Sequence, residues 1–88
     1  MEQKLTGQDS MSFGQQLVGL TFNPSGDPKV QRAKELCAEL ADLIQSDLLD
    51  RGFSKEPISE LYYDLHSHAV GEILNAQMNV VKVLTLKY

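Results

Sequence analysis

Apolar residues recur at helical spacing along two long segments of the chain, which a short break near residues 51–57 separates. In the first segment the apolar stripe comprises Val30, Ala33, Cys37, Leu40 and Ile44, widened by Leu36 and Leu43. The second segment carries two adjacent stripes, one of Ile58, Leu61, Leu65, Ala69, Ile73, Ala76, Val80 and Val83, the other of Val70, Leu74, Val81 and Leu84. Intervals of three and four are typical of amphipathic helices, and the short break predicts that the two helices pair antiparallel.

Local signals predict where the two helices begin and end. Asp27 is a good N-cap, and Pro28 at the first helical position needs no amide partner. Gly52 is expected to end the first helix in a left-handed conformation. Ser54 is expected to cap the second helix, with Pro57 in its first turn.

A shorter helical element is predicted ahead of this pair. Ser12 can cap one helical turn, with Gln15 as its capping-box partner three residues later. Residues 1–11 are polar and offer nothing to bury, which predicts a flexible tail. The remaining residues, 12–88, form one predicted domain.

The stripes also predict assembly. One partner helix covers only one stripe, so the second stripe on the second helix needs another chain. A domain of 88 residues is usually marginal alone, and a lone cysteine, Cys37, excludes a disulfide within the chain. The predicted fold is therefore all-α, an antiparallel two-helix hairpin with a short N-terminal helical turn, assembling into a helical oligomer.

Charge and hydropathy restrict the classes of partner. The net charge of −4 argues against long nucleic acid, whose binding depends on clustered Lys and Arg. No apolar run is long enough for a membrane span, and residues 1–10 lack the apolar core of a signal peptide. We therefore expect a cytoplasmic protein with no membrane partner, and the lone cysteine suits a reducing compartment.

Basic residues concentrate at the start of the first long helix. Lys29, Arg32 and Lys34 are three of the eight Lys and Arg residues of the chain. A helix start favours anions, and Lys29 and Lys34 flank opposite edges of the apolar stripe, where both can reach an interface between chains. The alternative is that these cations are solvated and only balance Glu35 and Glu39.

Two segments carry a resemblance to a known family. They are F-N-P-S-G-D-P-K-V at residues 22–30, continued by R-A-K-E-L at 32–36, and E-I-L-N-A-Q-M at 72–78, continued by V-K at 81–82. Together they resemble the helical-hairpin domain of the phage anti-CBASS and anti-Thoeris sponge proteins, and the resemblance covers residues 12–88. CBASS is the cyclic-oligonucleotide-based anti-phage signalling system of bacteria.

The resemblance implies a trap without catalysis that acts in the cytoplasm of the infected bacterial cell. Such sponges are hexamers of helical hairpins that hold cyclic dinucleotides, such as cyclic GMP–AMP, in pockets between protomers, and some also hold cyclic trinucleotides. Binding withholds the activating signal from the host effector. The alternative is a structural or adaptor hairpin that mediates protein–protein assembly in a phage complex.

The resemblance also implies a set of ligand-binding residues. A lysine in the first turns of the first long helix contacts phosphate in this family, and Lys34 occupies the matching position. The family's base-stacking aromatic is typically a tyrosine upstream of that helix, but here only Phe13 and Phe22 precede it. Phe22 is alternatively a core anchor under the turn. The full set is Lys34, Phe22, Phe13, Asn23, Ser25, Lys29 and Arg32.

For several residues a simpler role competes with ligand or metal binding. Asn23 and Ser25 can merely hold the turn through side-chain-to-backbone bonds. Asp64, His68 and Glu72 share one helix face, but charge pairs four residues apart account for that spacing without a metal. Since no nucleophile–base pair or phosphate loop is evident, we expect no enzyme activity, no metal and no cofactor.

Overall fold

The computed structural model describes residues 10–54 and 56–87 as an all-helical protein. Its three helices are α1 (Phe13–Val18), α2 (Pro28–Gly52) and α3 (Glu60–Thr85). The described residues include no strand, and none of their helices has the length and apolar character to cross a membrane. The predicted all-α class is confirmed, whereas residues 1–9 of the predicted tail lie outside the described residues.

The short helix α1 has the predicted capping box. The Ser12 hydroxyl accepts from the Gln15 amide at 3.1 Å, and the Gln15 side chain accepts from the Ser12 amide at 3.0 Å. Gly19 ends the helix with a φ of 63°, a left-handed conformation that suits glycine. Both ends of α1 are therefore determined by residues within a few positions of it.

A carboxylate of α2 fixes the start of α1 on α2. Asp42 accepts hydrogen bonds from the Ser12 hydroxyl and from the Gly14 amide, both at 2.6 Å. Gly14 lies so close to α2 that a Cβ there would be 2.0 Å from the carbonyl oxygen of Ala38. The missing side chain thus lets the two helix backbones approach each other, and Asp42 satisfies an amide that α1 itself leaves free.

The predicted start of α2 and its predicted end at Gly52 are confirmed, but the predicted left-handed conformation of Gly52 is wrong. Asp27 accepts from the Lys29 amide at 2.8 Å, and Pro28 is the first helical residue. Gly52 has no positive φ and is the last residue of α2. The amide of Phe53 donates to carbonyls of the last turn and closes it in a right-handed conformation, so no left-handed residue is needed.

The predicted start of α3 is wrong, because a later serine caps the helix. Ser59, not Ser54, is the N-cap, and its hydroxyl accepts from the Tyr62 amide at 3.1 Å. Ser54 instead accepts from the Glu56 amide in a local turn. Pro57 disfavours the helical conformation at the residue before it, which delays the helix to Glu60.

The interior of the described chain is small. Its buried side chains are Val18, Val30, Ala38, Ala41 and Ile73, together with the polar Lys34 and Gln77. The predicted stripe of α2 is therefore rotated: small residues face α1, while Leu36, Leu40 and Leu43 are exposed. No large side chain of the described residues is fully buried, and the extents of 52 × 41 × 13 Å are those of a thin layer.

The two long helices contact each other at two separate levels. The Tyr62 hydroxyl in the first turn of α3 donates to Asp47 near the end of α2 at 2.7 Å. At the other level, the start of α2 and the second half of α3 line one cavity. The second apolar stripe of α3, which was expected to need another chain, is half-buried; it comprises Val70, Leu74, Val81 and Leu84. In the first stripe, by contrast, Leu61, Leu65 and Val83 are exposed.

Candidate functional site

A partly open cavity of about 510 Å³ lies between the α1–α2 turn, the start of α2 and the second half of α3. This volume is within the range of small-molecule sites, about 300–1,000 Å³. Four of the seven predicted ligand-binding residues meet here, namely Phe22, Asn23, Ser25 and Lys34. The rest of the wall is formed by Val18, Pro24, Val30, Leu74, Gln77, Met78, Val81 and Thr85.

The turn that forms one edge of the cavity is held by its own side chains. The Ser25 hydroxyl donates to the Asn23 side-chain oxygen at 2.8 Å, and the Asn23 amide group donates to the Asp27 carbonyl at 3.2 Å. Gly26 has a φ of 65° and donates its amide to the Asn23 carbonyl at 3.1 Å. The turn-holding role of Asn23 and Ser25 is therefore present, and both residues also line the cavity.

Lys34 is buried at the base of the turn, with only 6% of its surface exposed. Its ammonium donates to the carbonyl of Gly19 at 3.0 Å and to the carbonyl of Phe22. Burial lowers the pKa of this lysine from its usual value. Lys34 therefore connects α2 to the segment before it, instead of extending from the edge of an apolar stripe toward another chain.

Phe22 presents its ring at the cavity, and its side chain is not a core anchor. The residue is 70% exposed, and the Lys34 nitrogen lies 5.5 Å from the ring centroid. A cation near an aromatic face is a favourable pairing that also fixes the ring's position. The accessible ring is a flat apolar surface on which a planar group can stack.

Gln77 is a cavity residue that the sequence analysis missed. It lies on α3, lines the cavity and is 5% exposed. Among residues 10–54 and 56–87 the fully enclosed side-chain nitrogen or oxygen without a partner is His66 Nε2, so the amide of Gln77, which none of their hydrogen bonds involves, is still reached by solvent. The sequence contains a signal for it, because Gln77 falls between Leu74 and Val81 at intervals of three and four. A polar residue inside an apolar helix stripe calls for an explanation, and an amide that is open to the cavity is available to a molecule that enters it.

Three predicted ligand-binding residues lie outside the cavity wall: Phe13, Lys29 and Arg32. Phe13 is the first residue of α1 and is 38% exposed. Arg32 pairs with Glu35 at 3.2 Å and approaches Glu39 at 3.8 Å, with its side chain 60% exposed. Arg32 therefore fits the alternative in which the cations are solvated and balance nearby glutamates. Within the basic cluster Lys34 is buried, whereas Lys29 and Arg32 are exposed.

The remaining titratable candidates, Asp64, His68, Glu72 and Cys37, lie outside the cavity wall. His68 Nε2 and Glu72 Oε2 are 3.8 Å apart, and both side chains are exposed. Within the described ranges, no three His, Cys, Asp or Glu residues are placed to hold a metal ion. Cys37 is half-buried, and burial raises the pKa of its thiol, which disfavours the reactive thiolate.

The cavity is suited to a molecule that combines a flat apolar body with an anionic group. Its wall is mainly aliphatic, with an aromatic face at the turn and five polar residues, Asn23, Ser25, Lys34, Gln77 and Thr85. An ammonium has three donors, and two of them meet carbonyls of the described chain, which leaves one for an anion. Comparisons with protein-family models, curated proteins and solved structures gave no match for this chain.

Proposed function

We propose that this chain is a non-catalytic sponge that binds cyclic oligonucleotide second messengers and withholds them from CBASS-type immune effectors in an infected bacterial cell. The observation that carries the proposal is the cavity of about 510 Å³, where Phe22 and Lys34 lie together with an aliphatic wall. A cyclic dinucleotide has flat purine faces and two phosphates. Stacking surfaces and a buried cation are the groups that such a ligand requires.

The roles within the cavity follow from the chemistry of its groups. Phe22 offers its exposed ring to one base, because bases of any kind stack on an aromatic face. Lys34 offers its remaining donor to a phosphate oxygen. Asn23 and Ser25 keep the turn at the edge of the cavity in place through their mutual hydrogen bond.

The proposed working form is a homo-oligomer, with six antiparallel helical hairpins as the expected number, in which a neighbouring chain covers the open side of this cavity and the ligand is held between chains. The thin layer of helices supports assembly, because its apolar side chains have little interior to enter. Exposed leucines lie on both long helices: Leu36, Leu40, Leu43, Leu49, Leu61 and Leu65. Association would remove this apolar surface from water.

These same leucines favour a second candidate function. A structural or adaptor hairpin in a phage complex would also cover them, and it would need no small ligand. The two functions differ in what they predict for the cavity, since an adaptor leaves it without a nucleotide.

Calorimetric titration with a panel of cyclic dinucleotides and trinucleotides tests the proposal. We expect the purified protein to bind at least one cyclic dinucleotide, and heat denaturation followed by chromatography to return that ligand intact. Release of linear products would instead indicate an enzyme. Failure of the whole panel to bind would favour the adaptor.

Substitution of the exposed ring makes the test specific to the cavity. Phe22→Ala should weaken binding by about fivefold to 150-fold, the equivalent of a lost stacking contact of about 1–3 kcal/mol. The matched control is Phe53→Ala, which removes a phenylalanine that is 88% exposed and lies outside the cavity wall. Equal affinities of the two variants would place the ligand elsewhere.

A further inference from the structure

Gln77 combines deep burial with an amide that the described residues leave unpaired. Only 5% of its surface is exposed, and it lies in the wall of the cavity. Most polar side chains at such depth satisfy their donors and acceptors within the protein. An amide in this position therefore points to a partner that enters the cavity.

The neighbours of Gln77 restrict the chemistry of that partner. On α3 the cavity wall consists of three apolar residues, Leu74, Met78 and Val81, and two polar ones, Gln77 and Thr85. Lys34 lines the same cavity from α2. A ligand that satisfies both groups carries an anion at one point and a hydrogen-bonding edge at another, on a largely flat apolar body.

We propose that Gln77 reads the hydrogen-bonding edge of a nucleobase held in this cavity, an inference that rests on the proposed function. A glutamine amide presents one donor group and one acceptor side by side. Adenine offers the complementary pair, an amino donor next to a ring-nitrogen acceptor, and a glutamine binds that pair with two hydrogen bonds. Guanine offers its carbonyl oxygen next to the N1–H donor, so the amide fits either purine.

A carboxylate in place of the amide separates the two purines. Glutamate only accepts, so it has no donor for the adenine ring nitrogen. The N1–H and amino donors of guanine, by contrast, match two carboxylate oxygens. Gln77→Glu should therefore change the preference between adenine and guanine ligands, an effect that a merely structural role for this residue would not produce.

The experiment measures affinities of cyclic di-AMP and cyclic di-GMP by calorimetry for three proteins: wild type, Gln77→Leu and Gln77→Glu. Gln77→Leu should lose about tenfold to hundredfold in affinity for both ligands, as two hydrogen bonds to the base are removed. Gln77→Glu should lower the ratio of cyclic di-AMP to cyclic di-GMP affinity by about tenfold or more. The ratio cancels the general repulsion between the new charge and the ligand phosphates.

Controls distinguish this inference from the proposed function and from loss of fold. Gln77→Leu should melt no lower than wild type, because an apolar side chain suits the buried position, and Asn75→Leu on the exposed face of the same helix should bind like wild type. Unchanged binding by Gln77→Leu, or an unchanged ratio for Gln77→Glu, would overturn the role of Gln77 while leaving the sponge intact. A wild-type protein that binds neither ligand would overturn this inference, whereas only failure of the whole panel of cyclic nucleotides would remove the proposed function.

Discussion

Lys34 and Phe22 contact each other twice, through the backbone and through the ring. The ammonium donates to the Phe22 carbonyl, and the same nitrogen lies 5.5 Å from the centroid of the Phe22 ring. A third contact, to the Gly19 carbonyl at 3.0 Å, extends the connection toward α1. One buried cation thus contacts both ends of the segment 19–22, which leads from α1 to the turn at the edge of the cavity.

Lys34→Met should destabilise the fold as well as the site. Methionine keeps the apolar stem but leaves the carbonyls of Gly19 and Phe22 without their donor, which should lower the free energy of unfolding by about 1–3 kcal/mol. Thermal melting of the unliganded protein measures this, with a shift of about 4–8 °C for each kcal/mol in a domain of this size. Lys82→Met, at an exposed position of α3, is the control, and equal melting temperatures would contradict the structural role of Lys34.

Two glycine-to-alanine substitutions should act in opposite directions. At Gly14 the new Cβ would meet the Ala38 carbonyl at 2.0 Å, so α1 must move away from α2 at a cost of about 1–3 kcal/mol. At Gly52 a Cβ meets nothing within 4 Å, and alanine should stabilise the last turn of α2 by about 0.5–1 kcal/mol. Denaturant unfolding of both variants checks the pair, and a shared direction of change would speak against the close approach of α1 and α2.

The contact between Asp47 and α3 should make stability depend on acid pH. Hydrogen bonds from Arg51 and from Tyr62 lower the pKa of Asp47, and the Arg51 guanidinium also lies 4.2 Å from the Tyr62 ring centroid. As pH falls, the unfolded chain takes up this proton first, near its ordinary pKa of about 3.9. The contribution of Asp47 is therefore present above about pH 4 and is lost as pH falls through the lower pKa of the folded state.

Melting curves of Asp47→Asn and wild type between pH 7 and pH 2 measure this contribution. Asp47→Asn should melt below wild type at pH 7, and the difference should shrink as the wild-type carboxylate becomes protonated. Asp50→Asn, at another exposed acid near the end of α2, corrects for the loss of one negative charge. A difference in melting temperature that stays constant over the whole pH range would show that the ionised form of Asp47 does not contribute to stability.

Light scattering should give a mass several times the 9.8 kDa of one chain, with six chains as the expected number. Leu40 and Leu43 are 51% and 65% exposed on α2, and a glutamate at either position should weaken assembly by stranding a charge in an apolar contact. Asn79→Glu adds the same charge to an exposed polar position of α3 and should leave the mass unchanged. A wild-type monomer at micromolar concentration would contradict the proposed oligomer.

Leu74 and Val81 are not suitable for that assembly test, although the sequence places them in the second stripe of α3. Both are half-buried and line the cavity. A charge at either position would alter the ligand site before it altered an interface between chains.

The sequence by itself determined the features that depend on a few neighbouring residues. The caps at Ser12 and Asp27 were predictable because a side chain and an amide two or three positions apart form them. The all-helical class followed from apolar spacing that spans both long helices. The prediction of Ser54 as the cap was wrong because Ser59 can also cap, and Pro57 between them disfavours a helix that begins at Ser54.

Only the tertiary structure decided which side of each helix is covered and what the polar residues there do. Lys34 was placed at the edge of a stripe, yet it is buried because carbonyls 12 and 15 residues away in sequence accept its hydrogen bonds. Asp42 of α2 accepts a hydrogen bond from the first turn of α1, 28 residues earlier, which spacing within α2 does not predict. Gln77 became a candidate ligand contact only when its burial in the cavity wall was known. Helical periodicity gives the relative angles of side chains on one helix, whereas the rotation of that helix against its neighbours depends on contacts between distant segments.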